Sequence, residues 1–335
     1  MNTTSWLRSG AAALTLVAAA AVQAAGTVGA SFPADFPVIE DATLQKPVIG
    51  FGAAGAVTRT PVIFLHGNND VPYAAGTCST SNGKIQLLAQ HLADNGWALS
   101  KLWGLGYQGD QCDLIPTPAE PNNNGKRARI GHTNQANVPD LRRFVAAVLA
   151  YTGAKQVDIV GHSLGGTLAR EWMRQDDAQH LVRRLVTIDS PHHGIINCSA
   201  DPTNFYQLVA LGGFTPSSDV CQELGSPDTP FLKRLNGRGG HAETEGPTKV
   251  LTIRNADTSF VYFPLPDGGL LPVAPAIDIY GKPTDFSQSA RLKGARNVDL
   301  SGQGAYDDGL LKSAHLGILQ SPQTKAAVVD FLSRR

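Results

Sequence analysis

One serine in this chain stands in a pattern that suits a nucleophile. Gly161-His162-Ser163-Leu164-Gly165 follows the short run Val157-Asp158-Ile159-Val160 and precedes a helix-forming stretch, Thr167 to Arg174. A sharp strand-to-helix turn would hold the serine in strained backbone angles and lift its hydroxyl out of the sheet edge. Neighbouring chains pass so close at such a turn that positions two before and two after need almost no side chain, hence Gly161 and Gly165. The helix that begins there aims unpaired N–H groups and its positive dipole end at the same spot.

A serine hydroxyl is a weak nucleophile until a base, itself oriented by an acid, takes its proton. Of the nine histidines, His315 is the expected base, in Ser313-Ala314-His315-Leu316-Gly317 between the last expected strand and the last helix. In a parallel sheet that connection opens on the same carboxyl-end rim as Ser163. His162 and His66 read as structural, and His192 and His193 as walls of the active face. The acid should follow an intervening strand. Lys249 to Arg254 is one, and Asn255-Ala256-Asp257 comes directly after it, so Asp257 is the expected acid. Asp285 is its nearest rival, and Asp267 and Asp278 lie deeper in a proline-rich stretch. Two backbone N–H groups must receive the oxyanion. Leu164 is placed to give one, and Asn68, with Gly67 permitting the turn, the other.

These residues need a frame. Thr60 to Leu65, Trp97 to Leu105, Val157 to Val160, Leu181 to Asp189, Lys249 to Arg254 and Asn297 to Leu300 read as strands. Ile85 to Asn95, Val138 to Tyr151, Thr167 to Arg174 and Thr324 to Ser333 read as helices between and after them. Apolar strands alternating with helices give an α/β class, a mostly parallel sheet covered on both faces. Residues of about 197–247 and 260–286 break the rhythm and read as loop-rich insertions over the active face, not as separate domains.

The chain has 335 residues, 42% hydrophobic, with 28 basic residues against 28 acidic ones. That balance gives no electrostatic reason to expect a nucleic-acid partner. Arg8 and the small apolar stretch Ala11 to Ala21, followed by Val22-Gln23-Ala24, read as a signal peptide over residues 1–24. The stretch is too short for a permanent membrane span. Residues 25–335 are then a single domain, exported to the periplasm or the medium. Four cysteines in an exported chain suggest two disulfides. Cys78–Cys112 and Cys198–Cys221 are the favoured pairs among three connectivities, the second as a candidate anchor for a cover over the site. Nothing in the spacing marks a metal site, and neither a cofactor nor an oligomeric state is read from the sequence.

The chain resembles bacterial secreted lipases and esterases of the α/β-hydrolase superfamily, especially the small lipase class, over about residues 60 to 335 without the insertions. Val62-Ile63-Phe64-Leu65-His66-Gly67, Gln156 to Gly166, Asn255-Ala256-Asp257, Gly294 to Val298 and His315 to Leu319 carry the likeness. In that family the matching serine, aspartate and histidine form the triad. The resemblance implies a lipase or carboxylesterase that cleaves apolar carboxylic esters through an acyl-enzyme. Ala150 to Asp158 and Pro61 to Asn68 are also similar to extracellular poly(3-hydroxybutyrate) depolymerases with a lipase-type box. An aliphatic polyester depolymerase is therefore the alternative, and a non-catalytic binding protein on the same scaffold a further one.

Overall fold

The computed structural model describes residues 26–68, 70–74, 83–107, 133–199, 214–237, 243–244, 246–247, 248–255, 263–264, 270–271, 276–300 and 314–334. In chain order the elements are β1 (Ile49–Phe51), β2 (Val62–Leu65), α1 (Lys84–Asp94), β3 (Leu102–Gly106), α2 (Asn134–Thr152) and β4 (Val157–His162). There follow α3 (Leu164–Gln175), β5 (Val182–Ile188), α4 (Asp219–Leu224), α5 (Pro230–Leu235) and β6 (Lys249–Asn255). Two short pairs, β7 (Phe263–Pro264) with β8 (Leu270–Leu271) and β9 (Ala276–Ile277) with β10 (Pro283–Thr284), precede β11 (Arg296–Leu300). The chain closes with α6 (Ala314–Gly317) and α7 (Pro322–Ser333).

Seven strands form one sheet in the order β1-β3-β2-β4-β5-β6-β11, parallel throughout except for β1 against β3. The central strands are apolar on both faces because both faces are covered. Ile63, Leu65, Ile159 and Leu185 pack with α2 and α3 residues such as Phe144, Val148, Leu168 and Trp172. Phe64, Val160, Val186 and Ile253 pack instead with Leu88 and Leu92 of α1 and Val328 and Leu332 of α7. The site must therefore lie at the ends of the strands rather than on a face of the sheet.

Several elements begin elsewhere than their periodicity suggests. The α2 helix starts four residues before Val138, because its first N–H groups find partners outside the helix. Thr133 accepts from Ala136 N–H at 3.1 Å, and the buried Glu223 of α4 accepts from Asn134 and Gln135 N–H at 2.6 and 3.2 Å. Gly153, at φ 67°, ends it. The expected strand from Trp97 is a 3-10 turn over Leu99–Lys101 before β3. There Ser100 donates to Ala56 O and Lys101 to Thr58, contacts that tie the turn to the segment before β2.

Cys198 and Cys221 are bonded, with Cα atoms 5.4 Å apart. Both are fully buried, in the same core as Val220, Leu224 and Phe231. The disulfide thus fixes that part of the first insertion to the hydrophobic core. Residues 1–24, Cys78 and Cys112 lie outside the described residues.

Candidate active site

Ser163 connects β4 to α3 and takes φ 51° and ψ −124°, a region that side chains disfavour. Its N–H donates to Ile188 O of β5 at 2.9 Å, and its carbonyl accepts from Gly166 N–H at 3.1 Å. Leu164 is the first residue of α3, so its N–H is one of those without a carbonyl in the helix. The glycines are there for space. A Cβ on Gly161 would lie 2.6 Å from the Gly165 carbonyl carbon, and one on Gly165 would lie 2.6 Å from both Leu65 O and His66 O. Gly166 is as tight, since its Cβ would meet Ser190 Oγ at 2.0 Å. The helix therefore starts at Leu164, before the Thr167 that propensity suggests, because packing outweighs the cost of two helical glycines.

The loop after β2 crosses directly beside this turn. A Cβ on Gly67 would be 3.0 Å from Ser163 Cβ. His66 is fully buried and lies flat on Tyr107, with ring centroids 4.2 Å apart and planes within 7°. Burial pushes its imidazole down to about 4, so it is neutral and donates from Nδ1 to Gly67 O at 2.8 Å. Tyr107 in turn donates to His66 O. Asp70 fixes the far end, accepting from Val71 and Gly83 N–H at 2.8 and 2.7 Å through one oxygen. Between these anchors stands Asn68, half-buried. His66 thus shapes the loop, and Asp70, unremarked in the sequence, shares that work.

His315 is in α6, and two contacts hold it at the turn. Its carbonyl accepts from His162 Nε2–H at 2.8 Å, and the two rings lie 4.6 Å apart at 36°. His162 is therefore unprotonated at Nδ1, and burial, followed by the charge of His315, holds its imidazole well below the usual histidine range. His315 Nδ1 lies 3.3 Å from Asp189 Oδ2. Asp189 caps β5, beside the turn, and was not among the expected acids. Its signal was its place: the residue after an apolar strand that neighbours the serine strand.

Asp257 lies outside the described residues. The rival Asp285 is exposed and accepts from Ser287 N–H, and Asp278 serves the turn before β10 through Ser226, Tyr280 and Lys282. Neither meets His315 through its described hydrogen bonds. His192 is fully buried between Thr187 Oγ1 at 3.0 Å and the Arg170 guanidinium at 3.3 Å; burial holds it well below its usual range. His193 bonds Glu243 Oε1 at 2.8 Å and Ser289 O at 3.1 Å. Both histidines tie the loop after β5 to its surroundings. Among the described residues no cluster of three or more histidine, cysteine or acidic side chains is placed to hold a metal ion.

Residues 59–254, from the lead into β2 to the end of β6, match the lipase class 2 family. The chain belongs to that family. Two curated relatives of this class 2 lipase chain are triacylglycerol lipases, from Pseudarthrobacter phenanthrenivorans and Burkholderia plantarii. Each is 31% identical over 139 residues, 42% of this chain and 35% or 31% of the relative. The matched stretch thus spans about a third of those relatives' length. Two solved structures share the fold. Lipase BlEst2 of Bacillus licheniformis in its mature form aligns with a TM-score of 0.51 at 18% identity, over 84% of this chain and 96% of its own. Lipase B of Aspergillus fumigatus aligns with a TM-score of 0.50 at 19% identity, over 85% and 56%. Sheet order and neighbours together make this an α/β-hydrolase fold.

Proposed function

We propose that the chain is a secreted serine hydrolase of apolar carboxylic esters, a lipase or carboxylesterase. One observation carries the reading: Ser163 occupies the strained β4–α3 turn, while the neighbouring His162 binds the backbone of a histidine whose own Nδ1 meets a carboxylate. Ser163 Oγ attacks the ester carbonyl as His315 Nε2 takes its proton. The N–H groups of Leu164 and Asn68 receive the charge that develops on the carbonyl oxygen, each worth about 3 kcal/mol. His315 returns the proton to the departing alcohol, and water then releases the acid by the same path. By chain order Asp257, two residues beyond the end of β6, is the expected acid, and Asp189 is the carboxylate that stands at His315 Nδ1. The steps balance without a cofactor.

Export through residues 1–24 belongs to the same reading, and the Cys198–Cys221 bond supports an oxidising compartment. Family membership supports the substrate class. The test is a panel of short and long p-nitrophenyl esters, an emulsified triglyceride and an aliphatic polyester film, run with the wild type and Ser163→Ala. Hydrolysis of soluble or emulsified esters should fall by about 10⁴-fold or more in the variant. Activity confined to the film would favour a depolymerase, and activity that survives Ser163→Ala would overturn the assignment of the nucleophile.

A further inference from the structure

We propose that Asp189 is a positioning residue for His315: its carboxylate accepts the Nδ1 proton and leaves Nε2 facing the serine. The inference rests on the hydrolase reading and adds a carboxylate to it. Asp189 Oδ2 is 3.3 Å from His315 Nδ1. The position is built to hold that oxygen there. Asp189 has φ 45°, its N–H donates to Ile253 O at 2.8 Å, and its Oδ1 accepts from Asn255 N–H at 3.1 Å. One oxygen is thus fixed by backbone and the other is turned to the imidazole. Its side chain is only 5% exposed, and a carboxylate that buried needs such partners.

Topology explains the approach. In the β4–β5 ladder His162 pairs with Ile188, so Asp189 is the residue beside Ser163 at the carboxyl ends of two adjacent strands. The order serine, aspartate, histidine along the chain is kept. Asp189 also grips Asn255, from which the chain runs on to Asp257. The experiment must therefore separate an effect on the imidazole from an effect on that strand end.

Asp189→Asn does so. Asparagine tolerates the left-handed backbone and keeps an oxygen for Asn255 N–H, but loses the charge. His315 is also faced by His162 from the turn and by Asp70 from the loop after β2, and both remain in the variant. With a soluble p-nitrophenyl ester, kcat should fall at least about tenfold while KM stays within about twofold. The acid limb of the kcat/KM profile should move to lower pH, because an imidazolium beside an amide is stabilised less than one beside a carboxylate. In proton NMR, the low-field His315 Nδ1–H resonance should persist in Asp257→Asn and disappear in Asp189→Asn. A kcat within twofold of wild type would overturn the proposal. So would a lost kcat with an unmoved acid limb, which would mean that Asp189 acts only through Asn255. Should Asp189→Asn fail to fold, loss of the resonance in Asp257→Asn would refute the role and its persistence would support it. If the wild type hydrolyses no ester, the parent reading falls as well; if only Asp189→Asn is silent, that reading stands.

Discussion

Asp70 is a buried carboxylate that holds the loop after β2 at a cost, and the cost can be measured. It is fully buried, and its Oδ1 takes the N–H groups of Val71 and Gly83. Its Oδ2 has no hydrogen-bond partner among the described residues. Burial, only partly offset by those two bonds and by the charges of His315 and Lys84, raises its carboxyl from 3.8 to about 6. The folded chain therefore binds this proton more tightly than the unfolded chain does. The stability that Asp70 contributes is fully present below about pH 4 and is lost as pH rises through about 6. A gap of about two units corresponds to at most about 3 kcal/mol. Asp70→Asn keeps an oxygen for the two N–H groups and removes the titration. Its amide nitrogen adds a fixed penalty in place of Oδ2, so the informative quantity is a slope. Urea unfolding of both proteins from pH 4 to pH 7 should show the variant gaining on the wild type by up to about 3 kcal/mol. The gain should appear between about pH 4 and 6. A difference independent of pH, or one that favours the wild type as pH rises, would refute the reasoning.

Steric and covalent constraints give three more expectations. Gly165→Ala should cut kcat by about 10²-fold, because its Cβ must displace the Leu65 and His66 carbonyls and with them the loop beside Ser163; Gly153→Ala, with nothing within 4 Å and only its left-handed backbone to strain, should cost about 1 kcal/mol of stability and leave kcat unchanged. His162→Phe keeps a ring against His315 but loses the 2.8 Å bond to its carbonyl, and should lower kcat more than about tenfold in the same ester assay. Replacing Cys198 and Cys221 together by alanine opens a loop of sequence separation 23 and should cost about 3 kcal/mol, read as a lowered urea midpoint.

The parts of the site that were legible in the sequence are those fixed by local geometry. A serine between Gly161 and Gly165 after an apolar run specifies the turn, because only glycine leaves room for the crossing backbone. The sheet was legible for a similar reason: β2, β4, β5 and β6 each carry short apolar runs with buried residues on both faces, which a covered parallel sheet requires. What escaped depends on contacts distant in sequence. The start of α2 is set by Glu223, about ninety residues away. Asp189 reads as the last residue of a strand until the β4–β5 ladder puts it beside Ser163 and α6 brings His315 onto it. Asp70 looked like one more polar residue in a glycine- and asparagine-rich loop, and only its burial gives it a role.

The most direct measurement on Ser163 is covalent. The purified protein is treated with a fluorophosphonate probe, digested, and mapped by mass spectrometry alongside Ser163→Ala. The expected result is a single stoichiometric adduct on the peptide bearing Ser163, absent from the variant and formed in step with the loss of ester hydrolysis. An unlabelled but folded wild type, or an adduct carried equally by Ser163→Ala, would contradict the account.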